Sequence, residues 1–327
     1  MKNVFTFLLL LFSLLCNGQS PKLFTTDKEL SSSLINQIYQ DRNGFIWIAT
    51  EDGLNRYDGA KFTRYKHEPN NEHSLAHNFV RTVFEDSKGH LLIGTYIGIQ
   101  MYDPATDNFT PLAKLEDTGE TLESNINSFI ERKNGEIWVS GNVLCKLDIK
   151  DHLLTVRKVD IAVTSPGSLF EDKKQNVWMA KGEEGVYQLT PDNQLTLHLS
   201  KDNGYVKSIC EDQRGNIYVG SIRKGLFIYD KERKTFVPVD LKEKGELPVC
   251  FLYSGIPNEL YIGTDGKGVA IYNIRTHEIS EYKFDNNYFD SGNSKIHSIL
   301  KDNSGNLWLA VYQKGVILIP ARTNSFK

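Results

Sequence analysis

Five aspartates recur at one position of a repeated motif, and such a set of carboxylates is the first feature of this chain that could do chemistry. They are Asp41, Asp86, Asp172, Asp212 and Asp302. Carboxylate oxygens can bind divalent cations. However, each Asp occurs once per repeat, and four of them precede a glycine by three residues, as in tight turns where Asp bonds its own backbone. We therefore interpret them as turn caps and predict no metal site.

A second set of polar and aromatic residues lies in connecting segments and could bind a sugar through planar hydrogen bonds and ring stacking. These candidate ligand-binding residues are Glu51, His77, Tyr96, Arg223, Asp265 and Tyr312. The alternative is that the segments are polar only because loops are exposed to water.

Catalytic groups are not indicated. No two carboxylates can be placed about 5–10 Å apart, as a glycosidase requires. Arg81, Arg223 and Arg275 do not form an anion-binding triad, because Arg275 is predicted on the opposite face from Arg223. Histidines lack metal-ligand spacing, and Cys145, Cys210 and Cys250 are interpreted as buried thiols rather than a disulfide framework. We predict a protein that is not an enzyme and has no cofactor.

The elements that position these residues belong to one repeat. An apolar or aromatic anchor recurs at spacings of 45, 46, 40, 40, 43 and 47 residues, at Trp47, Leu92, Trp138, Trp178, Tyr218, Tyr261 and Trp308. Seven units of this period predict one closed or stacked array rather than unrelated domains.

Each unit is predicted to form four short strands. In the first unit these are 34–40, 45–49, 54–57 and 61–65, separated by turns rich in Asp, Asn and Gly. Strands joined by short turns pair antiparallel with their neighbours in sequence. The prediction is an all-β, seven-bladed β-propeller of four-stranded antiparallel blades. An open β-solenoid is the alternative, but its repeats are shorter.

Such blades have two different ends. The turns between second and third strands, and the links between blades, share one end, which we call the loop face; the Asp turns lie on the other end, the turn face. Five polar residues lie five positions before the turn position, on the first strands: Asn36, Arg81, Asn127, Lys207 and His297. If they face the central channel they form a mixed polar lining; otherwise they flank it.

Closure of the array is predicted to use the N-terminal segment. The seventh unit ends where its fourth strand should begin, and the apolar segment Lys22 to Thr25 precedes the first unit. We predict that this segment pairs outermost on the last blade.

The segment Ser31 to Gly59 resembles the two-component regulator propeller repeat, and the resemblance covers residues 23–327. It is clearest in the first, second, fifth and seventh units. Arg132, Gln175 and the segment Gly255 to Asn258 depart from the turn motif in the third, fourth and sixth units. The motif defines blades and carries no binding residue. The resemblance implies the periplasmic sensor region of Bacteroidetes hybrid two-component systems, with paired propellers, a β-sandwich, a membrane helix and a histidine kinase, many of them responding to glycan fragments.

The N-terminus predicts export. A short basic start followed by an apolar run from Val4 to Leu15 is typical of a cleaved signal peptide, here residues 1–18, leaving a propeller of residues 19–327 in the periplasm. The alternative is lipidation at Cys16. No apolar stretch of about 20 residues lies near Lys327. We therefore expect a form that lacks the membrane and kinase parts of the family, or a stand-alone propeller.

Charge limits the partners. The formal net charge of −3, without a basic run, argues against nucleic-acid binding. The predicted function is a ligand-sensing propeller with an oligosaccharide ligand, downstream sensor domains or a second propeller as partners, and a homodimer as one arrangement. A secreted lyase or glycosidase and a protein-interaction scaffold are the alternatives.

Overall fold

The computed structural model describes residues 20–199, 204–241, 247–284 and 287–321. Within these ranges the chain is built of β-strands, with one single-turn 3-10 helix at Ser291–Asn293. No helix among the described residues is long and apolar enough to cross a membrane. The predicted signal peptide and Cys16 lie outside the described residues.

The strands form seven separate sheets, which we number as blades in chain order. The chain opens with β1 (Lys22–Phe24). Blade 1 contains β2 (Ile35–Gln40), β3 (Ile46–Thr50), β4 (Gly53–Tyr57) and β5 (Phe62–Tyr65). Blade 2 contains β6 (Val80–Glu85), β7 (Leu91–Thr95), β8 (Ile99–Asp103) and β9 (Asn108–Phe109). Blade 3 contains β10 (Lys114–Leu115), β11 (Ser128–Glu131), β12 (Ile137–Ser140), β13 (Leu144–Lys150) and β14 (Leu153–Lys158). Blade 4 contains β15 (Leu169–Glu171), β16 (Val177–Lys181), β17 (Gly185–Leu189) and β18 (Leu195–Leu199).

The remaining blades follow the same order. Blade 5 contains β19 (Val206–Glu211), β20 (Ile217–Ser221), β21 (Gly225–Asp230) and β22 (Thr235–Pro238). Blade 6 contains β23 (Val249–Ile256), β24 (Glu259–Thr264), β25 (Val269–Asn273) and β26 (Ile279–Glu281). Blade 7 contains β27 (Ile296–Lys301), β28 (Leu307–Val311) and β29 (Gly315–Ile319), completed by β1. The first strand of each blade contacts that of the next, and β27 contacts β2, so the ring is closed. The predicted seven-bladed propeller is confirmed.

The predicted closure by the N-terminal segment is also confirmed. Strand β1 pairs antiparallel with β29, with Phe24 opposite Val316. Phe24 is fully buried and stacks on Trp308 with 5.8 Å between ring centroids. Both ends of the described chain therefore contribute to one sheet, and opening the ring requires this sheet to come apart.

Blade 3 differs from the others by its extra strand. Strand β10 pairs parallel with the outer strand β14, so this sheet has five strands in the order β10-β14-β13-β12-β11. The short β10 belongs to the link between blades 2 and 3. The four-strand pattern of the repeat did not predict it.

The repeated aspartates are turn caps, as predicted. Asp172 is 4% exposed, and its Oδ1 accepts hydrogen bonds from the backbone nitrogens of Lys174 and Asn176. Its Oδ2 accepts from Asn176 Nδ2 and from Trp178 Nε1 at 2.9 Å. In blade 3, where Arg132 replaces Asp, the indole of Trp138 instead donates to Glu136 Oε2 at 3.0 Å.

The anchors are wedges between blades. Trp47 packs in a cluster with residues of blade 2, Trp138 with blade 4, Trp178 with blade 5 and Trp308 with blade 1. A large aromatic fills the gap between diverging sheets, and truncation of such a side chain costs about 3–5 kcal/mol. These residues therefore hold the ring together and are not available to a ligand.

A belt of hydrogen bonds on the turn face joins neighbouring blades. In five blades, the backbone nitrogen of the residue after the turn Asp position donates to a side chain at the end of the first strand of the neighbouring blade. Examples are Arg42 to Glu85 at 2.7 Å and Ser87 to Glu131 at 2.7 Å. Because each bond crosses an interface between blades, the belt fixes the spacing of the first strands around the channel.

Candidate functional site

A bulge near the start of the first strand recurs in five blades and brings one residue of each to the channel. In five blades the pairing between first and second strands shifts by one residue, which leaves an unpaired residue at Asn36, Arg81, Lys207, Cys250 and His297. A bulged residue leaves the hydrogen-bond ladder and its side chain is redirected.

The seven equivalent residues line one cavity of about 730 Å³. They are the five bulged residues together with Asn127 and Gly167 of blades 3 and 4, and we call them the channel ring. The cavity also reaches Lys181 to Glu184 and Tyr205, which belong to the loop face. The first of the two alternatives, a mixed polar channel lining, is therefore the one that the structure supports.

Two members of the channel ring were missed from the sequence. Gly167 has no side chain, and a Cβ there would lie 2.9 Å from the carbonyl oxygen of Ala180. Cys250 lies five residues before the turn position Gly255, and Gly167 lies five residues before Asp172. The same count from the turn would therefore have found both, but only polar residues were selected from it. Within the described residues Cys145, Cys210 and Cys250 are free thiols, as predicted.

The amides of the channel ring are held by neighbouring blades. Asn36 Nδ2 donates to the carbonyl of Val80 at 2.8 Å, and Asn127 Nδ2 donates to the carbonyl of Pro166 at 3.1 Å. The amide oxygens accept no hydrogen bond from the described residues. Each can therefore accept one from a ligand.

The cationic members of the channel ring have no ion-pair partner in the described chain. Arg81 lies over the ring of Phe79 at 5.4 Å, and its Nε is buried without an acceptor. Lys207 is exposed to the cavity. His297 packs on Tyr312 with 5.0 Å between ring centroids. Burial lowers the pKa of His297, the positive charges of Lys207 and Lys295 lower it further, and the carboxylate of Asp265 acts in the opposite direction, with a net lowering that favours the neutral imidazole.

The acidic residues of the cavity wall are already paired. Glu184 lies 2.8 Å from Lys181, and that hydrogen bond lowers the pKa of the Glu184 carboxyl. Glu183 lies 3.6 Å from Arg223. Neither carboxylate is therefore a free base facing the channel ring.

An aromatic side chain stands at the mouth of the cavity. Tyr205 is 43% exposed, and its ring lies above Gly182, where a Cβ would be 3.1 Å from the ring. Gly182 also has a φ of +44°, a conformation that disfavours other residues. The glycine thus lets the tyrosine ring lie flat beside the opening.

The six candidate residues lie on the loop face, outside the cavity lining. Tyr96 packs on His77 with 5.5 Å between ring centroids, and it is 53% exposed. Asp265 pairs with Lys295 at 2.7 Å, and the same ammonium lies 5.7 Å from the ring of Tyr312.

Arg223 and Glu51 stand apart from these groups. Arg223 contacts the cavity wall through Glu183, at 3.6 Å. Glu51 is exposed, and the contact of its backbone is a hydrogen bond to the carbonyl of Leu34. The six thus form two small groups and two separate residues, and their role in binding stays a prediction.

Among the described residues, no group of three or more His, Cys, Asp or Glu residues is arranged to hold a metal ion.

The comparisons define the class of protein and its repeat. The fold is a β-propeller with a polar channel. The family model described as two component regulator propeller matches residues 29–52, 74–96 and 200–223, which belong to blades 1, 2 and 5. Blades 1, 2 and 5 therefore carry the repeat of the two-component regulator propeller family.

The similar proteins are matched over very different shares of their length. Histidine kinase P4 of Formosa agariphila is 36% identical over 83 residues, which cover 23% of this chain and 6% of that kinase. The extracellular domain of a hybrid two component system from B. thetaiotaomicron has a TM-score of 0.77 at 21% identity and covers 92% of this chain and 41% of that one. Virginiamycin B lyase from Staphylococcus aureus has a TM-score of 0.67 at 13% identity, and the match covers 91% of this chain and 99% of the lyase. This chain thus spans less than half of the B. thetaiotaomicron chain, and both structural likenesses show the fold alone.

Proposed function

We propose that this chain is a non-enzymatic, extracytoplasmic ligand-sensing propeller of a hybrid two-component system, and that its ligand is a glycan fragment bound in the channel at the loop face. The observation that carries the proposal is the channel ring, which gathers one residue from each of seven blades around one cavity of about 730 Å³. That volume is within the range of ligand sites, about 300–1,000 Å³.

Several features favour binding without turnover. Asn36, Asn127 and Arg81 offer uncommitted acceptors and donors, which suit sugar hydroxyls, and Tyr205 offers a ring face at the mouth. Catalysis of glycan cleavage would need an acid and a base carboxylate on either side of the bond. The two carboxylates of the cavity wall each lie beside a cation, at 2.8 Å for Glu184 and 3.6 Å for Glu183.

The cellular setting of the proposal rests on the family repeats and on the similarity to extracellular domains of hybrid two component systems. A signal peptide of residues 1–18 would deliver the chain to the periplasm. There the loop face would take the glycan, and further sensor domains, a second propeller or a second copy of the chain would carry the signal.

A second candidate function is a lyase, and one comparison favours it. Virginiamycin B lyase is covered over 99% of its length by this chain, and a single propeller is therefore sufficient for that enzyme. Here the histidine of the channel, His297, makes no hydrogen bond to a carboxylate among the described residues. A general base of that kind would lack the orienting partner that such histidines use.

The test is a binding and turnover assay on one sample. Residues 19–327 would be incubated with a panel of neutral and acidic oligosaccharides, while affinity is measured by calorimetry and new reducing ends and unsaturated products are measured in parallel. We expect saturable binding of at least one oligosaccharide with no product. Product formation would establish the enzyme instead, and the lack of saturable binding by every member of the panel would refute the sensing proposal.

A further inference from the structure

We propose that the channel ring recognises a carboxylate, so that the ligand is an acidic glycan fragment of the uronic acid class, bound between Arg81 and Lys207. This inference rests on the proposed function and specifies its ligand.

The first support is the guanidinium of Arg81. None of its nitrogens donates to a described residue, and its Nε is buried without an acceptor. A buried N–H without an acceptor is unfavourable in a folded protein. The planar guanidinium matches a carboxylate through two parallel hydrogen bonds, and an anion at its terminal nitrogens would also balance its charge.

The second support is the balance of charge in the cavity. Arg81 and Lys207 are the charged members of the channel ring, and no acidic residue belongs to it. The other charged residues of the lining are Lys181, Glu183 and Glu184, so the lining as a whole has three cations and two carboxylates, and Arg223 outside it lies 3.6 Å from Glu183. The cavity is therefore positive, although the chain as a whole carries a formal net charge of −3. A concave surface of one sign concentrates the opposite charge from solution.

The third support is the mixture of neutral groups around these cations. Asn36 and Asn127 keep unused amide oxygens, and Tyr205 exposes a ring face at the mouth. A free inorganic anion would use none of these groups. A sugar ring that carries a carboxylate would use them together, because hydroxyls bond to amides and the apolar face of the ring stacks on an aromatic.

The experiment measures affinities of residues 19–327 by calorimetry for oligogalacturonate and oligoglucuronate trimers, a neutral galactose trimer, and citrate. The variants are Arg81→Gln and Lys207→Gln, with Lys231→Gln as a matched control. Lys231 is an exposed lysine on the turn face, so its loss changes the net charge equally. Arg81 makes no hydrogen bond to the described residues and Lys207 is exposed, so both variants should keep the wild-type melting temperature.

We expect an acidic trimer to bind, each channel variant to weaken it by at least about tenfold, and the control to leave it unchanged. Raising NaCl from 50 to 500 mM should also weaken it. Binding of the neutral trimer with equal affinity, or indifference to both channel variants, would overturn the carboxylate inference and leave the sensing proposal standing. If citrate binds as tightly as the acidic trimers, the recognition of a carboxylate would stand, but the claim that the ligand is a glycan would be refuted. No binding by any probe would overturn both proposals.

Discussion

Replacing Phe24 with alanine tests whether the N-terminal strand closes the ring. The side chain is fully buried and contacts three aromatic rings, those of Phe62 at 4.9 Å, Tyr57 at 5.4 Å and Trp308 at 5.8 Å between centroids. A buried Phe→Ala substitution loses transfer free energy and leaves a cavity, and it costs about 3–5 kcal/mol. Because this cavity would lie beside the sheet in which the two ends of the described chain pair, we expect a loss of unfolding free energy in the upper part of that range.

The assay is urea unfolding followed by tryptophan fluorescence, which follows Trp308 beside Phe24 together with the three other tryptophans between blades. Leu197→Ala is the control: it removes an apolar side chain of the outer strand β18 that is 47% exposed, and it should cost less than about 1 kcal/mol. Deletion of residues 19–28 should lower the melting temperature further. If Phe24→Ala stays within about 0.5 kcal/mol of the wild-type free energy of unfolding, the reasoning about closure is refuted.

Three further substitutions test the turns, the charges and the mouth of the cavity. Asp172→Ala removes the acceptor of four hydrogen bonds and should lower the free energy of unfolding by about 3 kcal/mol in urea; an unchanged midpoint would contradict the capping role. The hydrogen bond from Lys146 lowers the pKa of Glu136 from 4.5 to about 2. A carboxyl group whose pKa is lower in the folded state stabilises the fold at pH values above its unfolded pKa, and this stabilisation is lost as the pH falls through the folded pKa. Glu136→Gln should therefore flatten the decline in melting temperature between pH 5 and 2, and an unaltered decline would exclude this contribution. Gly182→Ala should displace the ring of Tyr205 and weaken ligand binding, whereas Gly119→Ala, which also has positive φ but open space around its Cβ, should lower stability without changing affinity. If the two variants bind the ligand with equal affinity, the ring of Tyr205 does not contribute to binding.

The repeat made most of the fold predictable. Period, turn chemistry and strand alternation all indicate the same four-stranded unit, so the blades, their anchors and the pairing of β1 with β29 followed from the sequence. Even the five aspartates were assigned correctly, because a carboxylate at a tight turn has a local partner in its own backbone.

What the sequence did not predict depends on contacts between units. Strand β10 is added to blade 3 by a link whose two residues have no strand signal of their own. The exchange of hydrogen-bond acceptor from Asp to Glu136 in that blade restores the indole contact from a different repeat position.

The channel ring was predictable only in part. Five of its polar residues were found by counting from the turn, but the bulge that redirects them is a property of strand pairing. The loop candidates, in contrast, were chosen by composition alone, and composition does not distinguish a binding loop from an exposed one.

The most direct test of the central claim is amide hydrogen exchange of residues 19–327, with and without a saturating mixture of acidic and neutral oligosaccharides. The account predicts protection at the starts of the first strands, around residues 35–37, 80–82 and 206–208, and at the mouth around residue 182. Unchanged exchange throughout the chain, or protection confined to the turn face and the outer strands, would contradict it.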